Sequence, residues 1–250
     1  MSKLQRPSPT KRLSWNDMAS TTSKIRLTRR LVQLQQDKTA ARLLDQAKQL
    51  CTEFIDGKLQ REGLKRAGIT AWTGNTFDGD EKWPTISKRA QEVGWMLEEC
   101  YPRLYADISR HVNASFTSET VVHDVFSSVC TEIVKDGVNW ARIIAVYTFA
   151  GALATECYKD SRSVFVTEVS NWMYEFTALH LVDWIKKRGG WGDLLRSFPH
   201  SSVADYIITS RGRWRVLDYV TGLVTYIIVN IRETSRSYLQ KLSLLSNKEE

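Results

Sequence analysis

Residues 140–159 read Trp-Ala-Arg-Ile-Ile-Ala-Val-Tyr-Thr-Phe-Ala-Gly-Ala-Leu-Ala-Thr-Glu-Cys-Tyr-Lys, and Ile143–Thr155 carries no charge in 13 residues. A helix that is apolar nearly all round has to be buried on all sides. Other helices must therefore wrap it, and the flanking sequence supplies them. Upstream, Leu43, Ala47, Leu50 and Phe54 step by 4, 3 and 4, with Lys48, Gln49, Glu53 and Asp56 on the other face. This spacing predicts an amphipathic helix over residues 40–61. Ile86, Ala90, Val93 and Leu97 repeat the pattern, and so do Val122, Phe126, Val129 and Ile133, with Ser118 as the N-cap. The Gly-, Asp- and Thr-rich stretch 67–84 between the first two helices reads as a loop. Downstream, Phe165, Val169, Trp172, Phe176 and Leu179 predict a helix over Ser163–Lys187. Gly189-Gly190 stops it, as residues tolerant of a left-handed backbone do, and a short helix follows around Trp191–Phe198. No stretch alternates with period 2 between hairpin turns. The expected fold is all-α, a bundle over 40–210 in which one central apolar helix is wrapped by amphipathic ones.

Composition agrees. With 42% hydrophobic and 25% charged residues, the 250-residue chain has the profile of a packed core, which excludes disorder throughout. No uncharged apolar run approaches the roughly 20 residues of a spanning helix, which excludes a multi-pass membrane protein. The net charge of +7 is localised: residues 1–39 hold nine basic and two acidic groups, and residues 40–250 hold 26 of each. The basicity belongs to an arm, read as disordered over 1–39, in which Lys24–Leu34 could form a basic amphipathic helix on a partner. The arm lacks aromatic interleaving beyond Trp15 and the neutral body offers no basic groove, so nucleic acid is not the expected partner. An anionic membrane suits the arm equally well.

The segment 211–250 forms a basic and apolar tail. Arg211, Arg213 and Arg215 precede Tyr219–Ile231, which is uncharged over 13 residues, and Arg232 and Arg236 follow. Thirteen residues cover roughly 20 Å of the ~30 Å hydrocarbon core. The tail is a membrane anchor, an interfacial helix or a helix folded back on the body. Cys51, Cys100, Cys130 and Cys157 form no Cys-x-x-Cys pair, which fits free thiols in a reducing, cytoplasmic setting. His111, His123, His180 and His200 have no partners at catalytic or ligand spacing, so neither an enzyme nor a metal or other cofactor is expected.

Two stretches are more specific than periodicity. They are Lys135-Asp-Gly-Val-Asn-Trp-Ala-Arg-Ile-Ile-Ala-Val-Tyr-Thr-Phe-Ala-Gly-Ala-Leu153 and Trp184-Ile-Lys-Lys-Arg-Gly-Gly-Trp-Gly-Asp-Leu-Leu195. In that order and at that separation they resemble the first and second homology motifs of the Bcl-2 family of apoptosis regulators. The chain is most similar to the Bok branch. That likeness extends over residues 40–198, through Leu44–Phe54, Lys58–Gly68, Tyr101-Pro-Arg-Leu-Tyr105 and Glu156-Cys-Tyr-Lys-Asp160. The arm and the tail lie outside it.

The resemblance implies an apolar groove that receives an amphipathic guest helix. Arg142, with Asn139 beside it, would pair with an acid of the guest. Tyr105, Ile108, Val129, Ile133, Ala145 and Phe149 would form the lining, although apolar residues on helix faces are more often plain core. The two motifs are expected to line one cleft. A guest-type helix of the chain's own maps to Ile86, Ala90, Val93, Gly94 and Leu97. Two positions depart from the family pattern: Ala141 replaces a glycine, and Trp95 stands where an aspartate is expected. The implied function is Bok-like promotion of cell death by permeabilising the mitochondrial outer membrane, with the hairpin of helices 139–158 and 162–187 entering lipid. The alternative is a pro-survival receptor that sequesters pro-apoptotic guest helices. Implied partners are other Bcl-2 family proteins, intracellular membrane lipid (mitochondrial outer membrane or endoplasmic reticulum), and oligomers of the chain with itself or with relatives.

Overall fold

The computed structural model describes residues 15–64, 82–100, 119–159 and 161–199. Among them are helices α1 (Trp15–Gln36), α2 (Lys38–Arg61), α3 (Trp83–Cys100), α4 (Glu119–Val134), α5 (Trp140–Lys159) and α6 (Ser163–Phe176). A π-helical turn (Thr177–Leu181), α7 (Val182–Lys187) and α8 (Asp193–Ser197) complete them. The tail 211–250 and the segment holding Tyr105, Ile108 and Ser118 lie outside the described residues.

The uncharged stretch of α5 sits where its composition sends it. Ile143 to Cys157 are buried without exception, and α2, α3, α4 and α6 pack around the helix. Thr148 and Thr155 are tolerated there because each hydroxyl donates to the carbonyl four residues back, Ile144 and Gly151, at 2.8 Å. The stripes read from sequence all face this core: Leu43, Ala47, Leu50 and Phe54 on α2, Ile86, Ala90, Val93 and Leu97 on α3, and Val122, Phe126, Val129 and Ile133 on α4.

Helices α2 and α3 run parallel, because their contacts rise together in number: Ser87 with Glu53, Gly94 with Phe54, and Glu98 with Lys58 at 3.0 Å. Asp37 caps α2, its Oδ1 accepting from the amides of Thr39 and Ala40 at 3.1 and 3.2 Å. At the corner between α5 and α6, Ser161 adopts φ 59° while the amide of Arg162 donates to Cys157 O at 2.9 Å. This is a left-handed helix stop made by a residue other than glycine. Gly189 and Gly190, at φ 89° and 91°, end α7 as expected.

Two expectations are corrected. The stretch assigned to a disordered arm is helical from Trp15 to Gln36. Its docking stripe is sparse, with Leu34 buried and Leu31 half-buried. The rest of its hold is polar and distant in sequence: Arg30 pairs with Asp183 and donates from Nε to Ala178 O at 3.4 Å. Helical periodicity cannot register contacts of that kind. The second correction concerns Ser163–Lys187, which is one rod interrupted by the π turn, where the amide of Val182 donates to Thr177 O. The extra residue rotates the stripe, so that Leu179 is 39% exposed while Ala178, Leu181 and Val182 are buried.

Candidate functional site

The turn before α5 sets the arginine proposed for guest binding. Asn139 is the N-cap, its Oδ1 accepting from the Arg142 amide at 2.9 Å. Arg142 folds back so that Nη1 donates to Gly137 O at 2.6 Å. Its Nη2 stands 3.8 Å from the exposed Asp136 carboxylate, and its Nε is buried with no hydrogen-bond partner. The Nε–Nη2 edge is the side of a guanidinium that takes a carboxylate in a two-pronged grip. Asn139 is exposed, and the Arg142 side chain is 11% exposed.

Of the apolar lining, Val129, Ile133, Ala145 and Phe149 are buried in the common core, and Phe149 stacks on Phe126 at 6.4 Å. Tyr105 and Ile108 lie outside the described residues. The structure brings Asn139 and Arg142 together at the start of α5 and buries the four apolar residues of α4 and α5 in the core.

The two motifs do meet, around tryptophan. The Trp140 ring lies 5.2 Å from Trp184 and 5.6 Å from Trp191, and Tyr147 lies 5.9 Å from Trp191. Trp191 Nε1 donates to Leu43 O at 3.2 Å, fastening the second motif to α2. Asp193 gathers Trp140 Nε1 (2.8 Å), Arg188 Nε (2.7 Å) and Arg196 Nη2 (2.8 Å). Burial would raise its carboxyl pKa, but the indole bond and the two guanidinium partners outweigh burial and hold it below the usual 3.8. The contact is not the shared cleft expected from sequence. Trp140 and Arg142 are two residues apart, about 200° around a helix. The tryptophan hub therefore fastens the face of α5 opposite Arg142.

The guest-type helix α3 is held inward. Ile86, Ala90, Val93, Gly94 and Leu97 are all buried, and Trp95, in the aspartate position, is half exposed. Gly94 has a steric reason: a Cβ there would lie 2.5 Å from Phe54 Cε1 and 2.9 Å from Thr148 Oγ1. Sequence reasoning missed Arg89, which is 3% exposed. Its Nε donates to Phe198 O at 2.9 Å, its Nη2 to Pro199 O, and its Nη1 to Glu92 at 3.0 Å. The signal was present, since Arg89 stands three residues after Ile86 and four before Val93, on the core face. An open cavity of about 600 Å³ was also unforeseen. It lies along the α2–α3 seam, lined by residues including Gln49, Glu53, Trp83, Ser87, Gln91 and Trp95.

Comparison with known proteins gives this geometry its context. The family described as "Apoptosis regulator proteins, Bcl-2 family" matches residues 90–191, which include α5, the whole first motif and the second as far as Trp191. Bcl-2-related ovarian killer protein homolog B of Danio rerio is 35% identical over 195 residues, covering 76% of this chain and 89% of the relative. The chain belongs to the Bcl-2 family of apoptosis regulators. Within the family it is Bok-like: the Gallus gallus ovarian killer protein is 33% identical, over 63% of this chain and 73% of the relative. Crystalline chicken BOK superposes with a TM-score of 0.55 at 32% identity, covering 63% of this chain and 98% of that one. Trichoplax adhaerens trBcl-2L2 bound to trBak BH3 shares the Bcl-2 fold, with a TM-score of 0.53 at 24% identity over 62% of this chain and 98% of that one. Bcl-2 family regulators are not enzymes, in line with the absence of catalytic spacing in the sequence.

Proposed function

We propose that this chain is a pro-apoptotic, Bok-like regulator that permeabilises the mitochondrial outer membrane through the hairpin of α5 and the rod Ser163–Lys187 that begins with α6. The observation that carries the reading is the complete burial of α5 from Ile143 to Cys157 within a sheath of amphipathic helices. Once that sheath opens, lipid can replace it without exposing a charge over Ile143–Thr155. No helix of the described residues is long and apolar enough to cross a membrane. Arg142 and Glu156 bracket the apolar stretch at roughly 21 Å, short of the ~30 Å core. Entry therefore calls for a thinned bilayer or a shallow seat, with both charges at the headgroups.

Arg142 favours a second reading, a receptor that holds pro-apoptotic guest helices. Its Nη2 already stands 3.8 Å from the exposed Asp136 carboxylate, a place that a guest aspartate would take, and trBcl-2L2 offers a relative seen with a BH3 helix. Trp95 also makes the chain's own α3 a poor guest, because it cannot supply the charged bond expected there. Two assays run together separate the readings. Under the first reading, micromolar protein releases dye from anionic liposomes, alone or with an activator. Under the second it does not, and instead binds guest-helix peptides at sub-micromolar Kd, with Arg142→Ala weakening them about 10–100-fold through loss of a charge-assisted bond. Failure of both assays would refute both readings.

A further inference from the structure

Helix α1 has two unlike faces. The inner one is fastened to the body: Leu34 is buried, and Arg30 pairs with Asp183 and bonds Ala178 O. The outer one carries Ile25 and Val32, 48% and 53% exposed, with Arg29 between them at helical spacing and Lys24 and Arg26 alongside. Among the described residues no carboxylate pairs with Lys24, Arg26 or Arg29, and residues 18–36 contain no acid. The whole excess charge of +7 lies in residues 1–39, so the field of the neutral body does not oppose that of the arm.

We propose that the outer face of α1 docks on an anionic lipid surface. Cations in the headgroup layer with aliphatic side chains just below it are the pattern of an interfacial helix. A nucleic-acid backbone would satisfy the cations but leave Ile25 and Val32 in water. A second copy of the chain would set Lys24, Arg26 and Arg29 against their own like. This contact is separate from lipid entry by α5 and α6, so dye release can succeed or fail independently of it.

The test places an environment-sensitive fluorophore on Val32→Cys in full-length protein carrying Cys100→Ser. Cys51, Cys130 and Cys157 are buried and do not compete for label. With vesicles containing about 30 mol% phosphatidylserine the emission shifts to the blue, and with phosphatidylcholine alone it does not. High salt reverses the shift, because the interaction is screened. Combining Lys24→Gln, Arg26→Gln and Arg29→Gln weakens the vesicle response about 100-fold, the sum expected for three cations near an anionic surface. The helical signal and Tm of that variant stay unchanged, since none of the three side chains holds the body. A second label on the exposed Glu119→Cys reports other modes of capture. The proposal is overturned by a silent label at 32, whether or not the label at 119 responds. It is equally overturned by an undiminished response in the triple variant, or by a salt-sensitive response to a DNA duplex with none to vesicles.

Discussion

Gly94 and Gly151 are both helical glycines facing α2, yet they are there for different reasons. At Gly94 the missing Cβ makes room for Phe54 and Thr148, both buried, and Thr148 is fixed by its bond to Ile144 O. At Gly151 an added Cβ would meet Lys58 Cδ and Phe54 O at 3.7 Å, an ordinary contact. Overpacking a rigid site costs about 1–3 kcal/mol. Exchanging helical Gly for Ala returns about 1 kcal/mol. Gly94→Ala is therefore expected to lower Tm by several degrees, at roughly 2–4 °C per kcal/mol for a chain this size. Gly151→Ala is expected to leave Tm level or raise it by up to about 2–4 °C. Thermal unfolding of the two variants side by side checks this, and an unchanged Tm in Gly94→Ala would show that α3 lies less tightly against Phe54 and Thr148 than these distances require. The result also bears on the guest motif, because the small residue at 94 is needed by the resting fold whether or not α3 ever visits another groove.

The π turn is where the periodicity argument failed, and the failure is itself testable. Buried positions run Val169, Met173, Phe176 before the turn and Leu181, Val182, Ile185 after it, one residue late for a continuous α-helix. A π turn absorbs one surplus residue while keeping the flanking helices aligned. Deleting the exposed Leu179 should let the rod close into a regular helix with Leu181 and Ile185 still inward, so the variant folds with a Tm within a few degrees of the parent. Deleting Ala145 inside α5 rotates every later core residue by about 100° and should abolish cooperative melting. If the Leu179 deletion behaves like the Ala145 deletion, the turn is a structural requirement and not an accommodated insertion. The same contrast explains what the sequence made legible. Stripes such as Leu43 to Phe54 were readable because one period governs each helix from end to end. The motif around Trp140 and Arg142 was readable as a family likeness. By contrast, α1 was hidden because Arg30–Asp183 joins residues 153 apart, and the bonds from Arg89 to Phe198 and Pro199 span more than 100. At 100° per residue the sequence itself sets Trp140 and Arg142 on opposite faces of α5.

For the molecule as a whole, the question is what it costs to free α3. Ile86, Val93 and Leu97 are each at most 3% exposed. Returning side chains of this size to water costs about 1.5–3 kcal/mol apiece, or roughly 5–9 kcal/mol together. Arg89 and the Lys58–Glu98 pair hold the same helix at both of its halves, one to the root of the tail at Phe198–Pro199 and the other to α2. The total approaches the entire stability of a typical domain, about 5–15 kcal/mol. In solution, then, α3 should not open as a local fluctuation. Native-state hydrogen exchange should find its amides protected to within about 1–2 kcal/mol of the global unfolding free energy, alongside those of α5. An anionic membrane changes the balance, because lipid can take up the apolar faces that water rejects. On vesicles that support dye release, protection of α3 should fall while the protein remains bound and helical. Fast exchange of α3 in solution would mean that its packing against α2 and α5 does not restrain it. Full protection on vesicles that are already leaking would mean that permeabilisation proceeds without releasing the guest-type helix, and that Trp95 stands in a helix whose only task is to close the bundle.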